Sequence, residues 1–235
     1  MNQNSIKVKG KRKTIINDKI LSFLNALAYK NRKTITHKTG INGKNNTILN
    51  KGNCKEIIFD VSGDNNEIFI GFNTSLRDRV FYIRGNGHKV IIGENCQFGE
   101  IEIWIEDHNC SIFIENGVTI QQAKISVTEP FSILRIQKDC MISNNVEIRT
   151  GDSHSIIDIQ TGVRINKAAN VTLKKHVWLG AHTKVLKGVT IEENSIIGTG
   201  SVVTSDITAN SIAVGIPAKV VRSGITWDRK RIYDY

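Results

Sequence analysis

Aliphatic residues recur at every sixth position near the C-terminus of this 235-residue chain, and this repeat limits the folds that it can adopt. The repeating residues are Leu173, Leu179, Val185, Ile191, Ile197 and Val203. A period of six matches neither the 3.6-residue turn of an α-helix nor the two-residue alternation of a β-strand. It fits a triangular coil with one short strand and one corner per hexad, whose stacked turns pair their backbones. The segment therefore predicts a parallel β-helix.

Longer turns precede these hexads. The segments NNEIFIGFN, GHKVIIGEN, NCSIFIENG, FSILRIQKD and HSIIDIQTG place an aliphatic residue at Ile70, Ile92, Ile114, Ile136 and Ile159, spaced 22 or 23 residues apart. We interpret each as one turn of three strands with about four additional corner residues, which in solenoids often project on the binding side. The solenoid is expected to run from about residue 64 to 216, within a domain spanning 41–216.

Corner and interior positions follow the same repeat. Cys96 and Cys140 come four residues after Ile92 and Ile136, where Ser, Thr or Val stands in other turns, so we expect buried thiols rather than nucleophiles. Asn tolerates left-handed backbone, which suits a corner. The corner asparagines are predicted to be Asn66, Asn86, Asn109, Asn145, Asn170 and Asn194.

The N-terminal segment has a different composition. Residues 1–40 contain ten Lys or Arg and a single acid, Asp18, which together account for +9 of the formal net charge of +10. Within residues 14–29 the apolar residues have helical spacing on one face, so a basic arm with an amphipathic helix is predicted. It can dock on its own domain, a neighbouring subunit, an anionic membrane surface or an acidic polymer, and the sequence leaves these alternatives open. Residues 217–235 are expected to form a short C-terminal tail.

Charge and cysteine content exclude several classes of protein. The 195 residues after the arm are nearly neutral and carry no basic stripe with interleaved aromatics, so no nucleic-acid partner is predicted. The early apolar stretch is interrupted by charges and lacks a cleavage site, and no run reaches the roughly 20 apolar residues of a spanning helix. The four cysteines show neither CxxC spacing nor a disulfide framework. A cytoplasmic location is expected, with peripheral contact between residues 1–40 and the inner membrane surface as one hypothesis.

The hexad region resembles a known family. The segment VWLGAHTKVLKGVTIEENSIIGTGSVVTSDI, followed by AVGIPAKVVR, closely resembles the hexapeptide-repeat acyltransferases, and RTGDSHSIID and RIN resemble the branch that O-acetylates capsular and other surface polysaccharides. The match is close over residues 135–227, whereas the earlier coils share only the general repeat pattern. It implies an all-β, left-handed parallel β-helix and a homotrimer with active sites between adjacent coils. It also implies acetyl-CoA as acetyl donor and a polysaccharide or oligosaccharide acceptor.

The resemblance assigns the general base to His154, in the GDSHSI loop. A sugar hydroxyl is too weak an acid to attack a thioester unaided, and a neutral imidazole can take its proton. Asp152 or Asp158 is expected to orient the imidazole, and we place Asp152 with the catalytic residues. A purely structural role for His154 remains open, because His88 and His108 fall in similar corner positions of earlier turns.

Trp178 is the third catalytic residue predicted. It lies 24 residues after His154, a separation that resembles the family's pairing of base and tryptophan, and beside the inward Leu179 it should point outward. An exposed indole suits stacking on a pyranose ring or lining the acetyl site, and it equally suits a subunit interface. Backbone N–H groups near Gly180 are expected to stabilise the oxyanion.

The resemblance also places the acetyl-CoA contacts. Small residues leave backbone amides accessible to the pantetheine arm, and cations suit the nucleotide phosphates. The predicted cofactor residues are Gly180, Ala181, Thr199, Thr204, Ser205, Lys219 and Arg222. The chain departs from the family pattern in WLGAH, with Ala for a hydroxyl residue, and in GIPAK, where GNPAK is commoner.

Three alternatives compete with this interpretation. One changes the acceptor to an amino sugar nucleotide, a serine or an antibiotic. A non-catalytic solenoid predicts that His154→Ala has no effect on any CoA-dependent reaction. A γ-class carbonic anhydrase needs three histidine ligands, but His176 and His182 are six residues apart on successive faces and no third histidine completes the set, so no metal is predicted.

Overall fold

The structure is a computed structural model that describes residues 39–233, and this part of the chain contains strands but no helix. The amphipathic helix predicted within residues 14–29 lies outside the described residues. No helix in the described part is long and apolar enough to cross a membrane. The predicted β-helix is confirmed.

Twenty strands make up the described residues. They are β1 Thr39–Asn42, β2 Thr47–Asn50, β3 Asn53–Ser62, β4 Glu67–Ile70, β5 Ser75–Arg84, β6 Lys89–Ile92, β7 Gln97–Ile105, β8 Ser111–Ile114, β9 Thr119–Val127, β10 Ile133–Ile136, β11 Met141–Ile142, β12 Val146–Arg149, β13 Val171–Leu173, β14 Trp178–Leu179, β15 Lys184–Val185, β16 Thr190–Ile191, β17 Ile196–Ile197, β18 Val202–Val203, β19 Ser211–Gly215 and β20 Ala218–Ser223.

The strands stack in three parallel ladders, which we name faces 1, 2 and 3 in the order in which each turn visits them. Face 1 contains β2, β4, β6, β8, β10, β13 and β16. The long strands β3, β5, β7 and β9 each contribute their first residues to face 2 and their last residues to face 3. In β9, for example, Thr119 and Ile120 pair with β11, whereas residues 123–126 pair with β12. Face 2 continues through β11, β14, β17 and β19, and face 3 through β12, β15 and β18.

One aliphatic row from each face fills the interior. On face 1 the row is Ile70, Ile92, Ile114, Ile136, Leu173 and Ile191, paired in register from coil to coil. All six hexad residues from Leu173 to Val203 are fully buried, as predicted. Burying each such side chain contributes about 1.5–3 kcal/mol, so stability grows with the number of stacked coils.

The prediction for Ile159 is wrong. Leu173, not Ile159, pairs with Ile136 in the ladder, and the Ile159 side chain is 98% exposed. Residues 150–170 leave the solenoid as a loop whose centre is a small antiparallel hairpin, with Ile165 N–H donating to the carbonyl of Ile156 at 2.9 Å. The Asp158 carboxylate closes the hairpin turn by accepting the N–H groups of residues 160 and 161 at 3.0 and 2.7 Å.

The solenoid also begins earlier than residue 64, because β1–β3 form further coils from Thr39 onward. Three of the six corner asparagines, Asn109, Asn145 and Asn194, have left-handed backbone as predicted. Asn66, Asn86 and Asn170 do not. Asn66 is buried instead, and its side-chain oxygen accepts the N–H of His88 at 2.9 Å, so it serves the interior of the corner.

Of the two corner histidines of earlier turns, His88 has a structural role in the interior and His108 does not. His88 is fully buried, its Nδ1 accepts the N–H of Cys110 at 3.2 Å, and its Nε2 faces the carbonyl oxygen of Arg84 at 3.1 Å. Burial lowers its pKa. His108 is exposed and packs edge-on against Phe131.

The two cysteines assigned to the interior behave as small apolar side chains. Cys96 and Cys140 are completely buried, which confirms the prediction. Burial raises the pKa of the Cys140 thiol to about 12, far above the range in which a thiolate attacks. All four cysteines are free.

Candidate active site

His154 lies in the 150–170 loop, which leaves the end of face 3 at Arg149 and rejoins face 1 at Val171. The residue is exposed, while its backbone is held by Asn166. The Asn166 amide donates to the His154 carbonyl at 2.7 Å and its oxygen accepts the N–H of Ile156 at 2.8 Å. The loop thus fixes the main chain on both sides of the imidazole and leaves the ring accessible.

Asp152 lies two residues before His154, but its partners are other side chains and not the imidazole ring. Its carboxylate pairs with the ammonium group of Lys187 and accepts a hydrogen bond from Asn166 at 2.9 Å. The Lys187 ammonium holds the pKa of Asp152 below its ordinary value, with Asn166 adding to the effect. Lys187 also donates to the carbonyl of Asn166 at 2.9 Å, so one cation ties both ends of the loop to the next coil.

A second ion pair anchors the returning strand of the loop. The Arg164 guanidinium forms a bidentate contact with the Glu129 carboxylate, and its Nε donates to Asn166 Oδ1 at 3.1 Å. The guanidinium lowers the pKa of Glu129. Sequence reasoning assigned no role to Asn166, Lys187, Arg164 or Glu129. Arg164 and Asn166 belong to the RIN segment noted above, whereas Lys187 and Glu129 lie 21 to 35 residues from their partners in the loop.

Trp178 stands on face 2, where its neighbour Leu179 points inward and is fully buried, as predicted. It lies in register between Met141 of the preceding coil and Ile196 of the next. The indole borders a groove of about 860 Å³ that extends along the outside of face 2 to Asn73. We call this space the face-2 groove.

His154 and Trp178 do not meet within one protomer. The loop keeps its contacts to the corner between faces 3 and 1, through Glu129, Thr150 and Lys187. Face 2 is the side of the triangular cross-section opposite that corner. The two residues therefore lie on different sides of the solenoid in one chain.

The chain after β20 crosses the outside of the corner between faces 1 and 2, and we name residues 225–229 the C-terminal strap. Ile225 N–H donates to the carbonyl of Asn210 at 3.0 Å on the last coil. Trp227 stacks on His176 and lies 5.8 Å from the Trp178 ring. Arg229 reaches Asp139 and the hydroxyl of Thr119 at 3.0 Å, two coils further on. Nothing in the sequence pattern indicated this contact between the tail and Trp178.

The predicted cofactor residues occupy three places at the C-terminal end of the solenoid. Ala181 and Thr199 stack at the corner between faces 2 and 3, with Gly180 beside them, where an added Cβ would lie 2.8 Å from the backbone of residues 197 and 199. Thr204 and Ser205 lie at the corner between faces 3 and 1, and Lys219 and Arg222 on β20, which pairs antiparallel with β19. All of these except Gly180 are at least partly exposed.

The hydrogen bonds at this corner determine which backbone N–H groups remain free to bind a ligand. Gly180 N–H donates to the carbonyl of Ile197 at 2.8 Å, so the solenoid ladder already uses it. The carbonyl of Ala181 accepts the N–H of Gly200 at 2.8 Å, whereas Ala181 N–H has no acceptor within residues 39–233. Across the same residues, no group of three or more His, Cys, Asp or Glu side chains is arranged to hold a metal ion.

Comparison with known proteins places this arrangement in a family. Residues 170–205 match the bacterial transferase hexapeptide model of six repeats. The polysialic acid O-acetyltransferase of Neisseria meningitidis is 32% identical over 200 residues, which cover 83% of this chain and 91% of that protein. The chain belongs to the hexapeptide-repeat O-acetyltransferases, in the family of the polysialic acid O-acetyltransferases.

Two solved structures are similar to this O-acetyltransferase over most of its length. The polySia-specific acetyltransferase NeuO superposes with a TM-score of 0.76 at 28% identity, over 85% of this chain and 92% of that one. The polysialic acid O-acetyltransferase OatWY gives 0.69 at 28% identity, over 86% and 95%. The similarity therefore includes the early 22-residue coils, beyond the hexads that the family model covers.

Proposed function

We propose that this O-acetyltransferase moves an acetyl group from acetyl-CoA to a hydroxyl of a capsular or other cell-surface polysaccharide. The observation that carries the proposal is the match to a polysialic acid O-acetyltransferase over 83% of the chain, which spans the His154 loop and Trp178. The acceptor named for that relative is polysialic acid, an acidic polysaccharide. This chain is proposed to act on the same class.

In the proposed reaction, the neutral imidazole of His154 takes the proton of the acceptor hydroxyl as its oxygen attacks the thioester carbonyl. The tetrahedral intermediate collapses by breaking the C–S bond, and the CoA sulfur leaves with the proton returned by the imidazolium. General base catalysis of this kind is worth about 10²- to 10⁴-fold in rate. The fixed backbone and exposed ring of His154 suit it for this role.

The proposed oxyanion donor is the N–H of Ala181 rather than that of Gly180. A donor already committed to the ladder cannot turn toward a developing charge, and Gly180 N–H is committed to Ile197. Stabilisation of this kind is strongest when the donor is fixed before reaction. The stacked corner around Ala181 and Thr199 provides that rigidity, and the same corner is proposed to bind the pantetheine arm.

Asp152 is proposed to act on the loop rather than to touch the imidazole. Its carboxylate is already shared between Lys187 and Asn166, and Asn166 in turn holds the His154 carbonyl. Through these contacts the solenoid is proposed to hold His154 in place. Asp152 is therefore a positioning residue in this proposal.

The site is proposed to form between chains of a homotrimer, with His154 of one protomer facing Trp178 of its neighbour. The separation of the loop corner from face 2 within one chain is what supports this. The hairpin beside His154 carries exposed apolar side chains that suit a subunit contact, namely Ile156, Ile157, Ile159, Val163 and Ile165. Lys219 and Arg222 are proposed to meet the CoA phosphates.

A thiol-release assay tests the proposal. The purified protein is mixed with acetyl-CoA and polysialic acid or other acidic and neutral capsular polysaccharides, and CoA release is compared with that of His154→Ala. We expect release with at least one glycan and a loss of 10² or more in kcat for the variant, with unchanged acetyl-CoA binding. Equal release by both proteins, or none with any glycan, contradicts the proposal.

A further inference from the structure

The corner between faces 1 and 2 has one residue with left-handed backbone in each coil. From coil to coil these residues form a column, which consists of Asn73, Asn95, Gly117, Asp139, His176, Asn194 and Asn210. Asparagine tolerates this conformation, and its side chain can bond along the column, as the Asn73 amide does to Asn95 at 2.8 Å. Asp139 and His176 therefore stand at positions where asparagine already serves the corner.

Both of these residues hold the C-terminal strap through their side chains. Trp227 stacks on the His176 ring with centroids 4.0 Å apart, and Arg229 Nε donates to the Asp139 carboxylate at 3.0 Å. At the last coil, by contrast, the strap bonds to the column through the backbone carbonyl of Asn210. The aspartate and the histidine thus serve the strap rather than the turn.

The hydrogen bonds of the His176 ring require a proton on both of its nitrogens. Nε2 faces the carbonyl oxygen of Trp227 at 2.9 Å, and a carbonyl oxygen can only accept. Nδ1 faces one oxygen of the Asp139 carboxylate at 2.6 Å. The Arg229 guanidinium lies 2.9 Å from the other oxygen and favours the ionised carboxylate, which also only accepts. A ring that donates from both nitrogens is an imidazolium.

The surroundings of the ring suit a positive charge. The faces of an indole attract cations, and the His176 and Trp227 planes are inclined by only 7°. The charged residues on the segments packed around the ring are Lys138, Asp139, Lys175, Glu193, Asp228 and Arg229. Lys175 is paired with Glu193 at 2.9 Å, and Arg229 with Asp139, so neither cation stands uncompensated beside the imidazolium.

Trp227 connects this ring to Trp178 in two ways. The two indoles are in contact, with centroids 5.8 Å apart and planes inclined by 53°. Trp227 Nε1 also donates to the carbonyl of His176 at 2.8 Å, and only the fully buried Val177 separates that residue from Trp178. The strap therefore contacts the Trp178 side chain and holds the main chain that leads to it, at the border of the face-2 groove.

We propose that His176 is a positioning residue for Trp178 and acts as an imidazolium that holds Trp227 and the strap in place. When one proton passes to solvent, a ring lone pair faces the Asp139 carboxylate or the Trp227 carbonyl, and the strap loosens. The consequence for turnover rests on the proposed function, whereas the state of the strap does not. Since His154 must be neutral to act as base, kcat rises with pH through His154 and falls again through His176.

The test compares wild type with His176→Asn, which places the common residue of the column at the strap and removes the imidazole. Asn65→His is the matched control, because it exchanges the same two residue types at an exposed, left-handed corner four coils earlier. Acrylamide quenching of tryptophan fluorescence is measured from about pH 5 to 9, the range in which histidines titrate. CoA release with acetyl-CoA and polysialic acid or other capsular polysaccharides is measured over the same range.

We expect quenching of the wild type and of Asn65→His to increase as the pH rises, and His176→Asn to be quenched strongly throughout. The maximal kcat of His176→Asn should be about tenfold below that of the wild type, without the alkaline decrease and with an unchanged KM for acetyl-CoA.

Quenching of the wild type that is independent of pH, or equal to that of His176→Asn, overturns the proposal. So does a variant with loosened strap and wild-type kcat, because the strap then does not position Trp178. A wild type that releases no CoA with any glycan overturns the proposed function, and with it the positioning role. The quenching measurements then still decide whether the imidazolium holds the strap.

Discussion

The indole of Trp227 stacks on the imidazole of His176, with ring centroids 4.0 Å apart and planes inclined by 7°. The pair is closed by hydrogen bonds in both directions, from Trp227 Nε1 to the His176 carbonyl at 2.8 Å and between His176 Nε2 and the Trp227 carbonyl at 2.9 Å. Asp139 contacts the other ring nitrogen at 2.6 Å. The C-terminal strap is therefore held at the corner that carries His176, two residues before Trp178.

Removing the stacked ring should disturb Trp178. In Trp227→Ala we expect kcat to fall about ten- to hundredfold, because small displacements of a reacting or positioning group are costly, with little change in the KM for acetyl-CoA. Acrylamide quenching of the remaining fluorescence should increase as Trp178 becomes accessible. Trp227→Phe keeps an aromatic stack and should retain most activity. If Trp227→Ala only lowers the melting temperature and turns over normally, the strap has no part in positioning Trp178.

The buried His88 makes stability depend on pH. Burial lowers its folded-state pKa below the ordinary 6.5, so the unfolded chain takes up a proton first as the pH falls. The contribution of neutral His88 to the free energy of unfolding is fully present above pH 6.5. It is lost progressively as the pH falls from 6.5 toward the folded-state pKa. Protonation of Nδ1 also removes the acceptor of the Cys110 N–H.

His88→Asn tests this dependence, because Asn occupies the equivalent ladder position at Asn66. Urea unfolding at pH 7 and pH 5 should show that the free energy of unfolding falls more for the wild type than for the variant. Measuring both at pH 8 controls for the substitution itself. The same pH dependence in both proteins would show that His88 is not responsible.

The Asp152–Lys187 pair should affect turnover more than stability. The pair is partly exposed, so Asp152→Asn and Lys187→Met should each change the free energy of unfolding by about 0–1 kcal/mol. Both should lower kcat about tenfold by loosening the loop around His154. The double variant should lose little more than either single one, since the residues act through one contact. Additive losses in kcat would refute a shared positioning role.

The hexad pattern was enough to predict the C-terminal coils, because an inward aliphatic at every sixth residue leaves few other ways to bury it. The outward direction of Trp178 and the burial of Cys96 and Cys140 followed from the same repeat. The pattern failed at Ile159. Its spacing from Ile136 matches that of the earlier coils, and Val163 stands four residues later, where a coil has its small or β-branched interior residue. The turn sequence Asp158 to Gly162, with Gly162 in left-handed backbone, is the local signal for the hairpin that forms instead.

The remaining features of the candidate site depend on contacts between distant residues. Lys187 meets Asp152 across 35 positions, and Arg229 meets Asp139 across 90. Such pairs exist only once the coils are stacked, so no periodicity in the chain encodes them. The roles of His154 and Asp152 entered through resemblance, and they stay predictions.

Mixed trimers test most directly whether His154 and Trp178 of different protomers form one site. His154→Ala and Trp178→Ala chains, each inactive alone, are unfolded together, refolded at equal concentration and assayed for CoA release. In a closed ring of three, random mixing restores an intact pairing at about one quarter of the sites, so we predict about one quarter of wild-type activity. No activity above that of the separate variants would contradict the account, because a site contained in one chain cannot be restored by mixing.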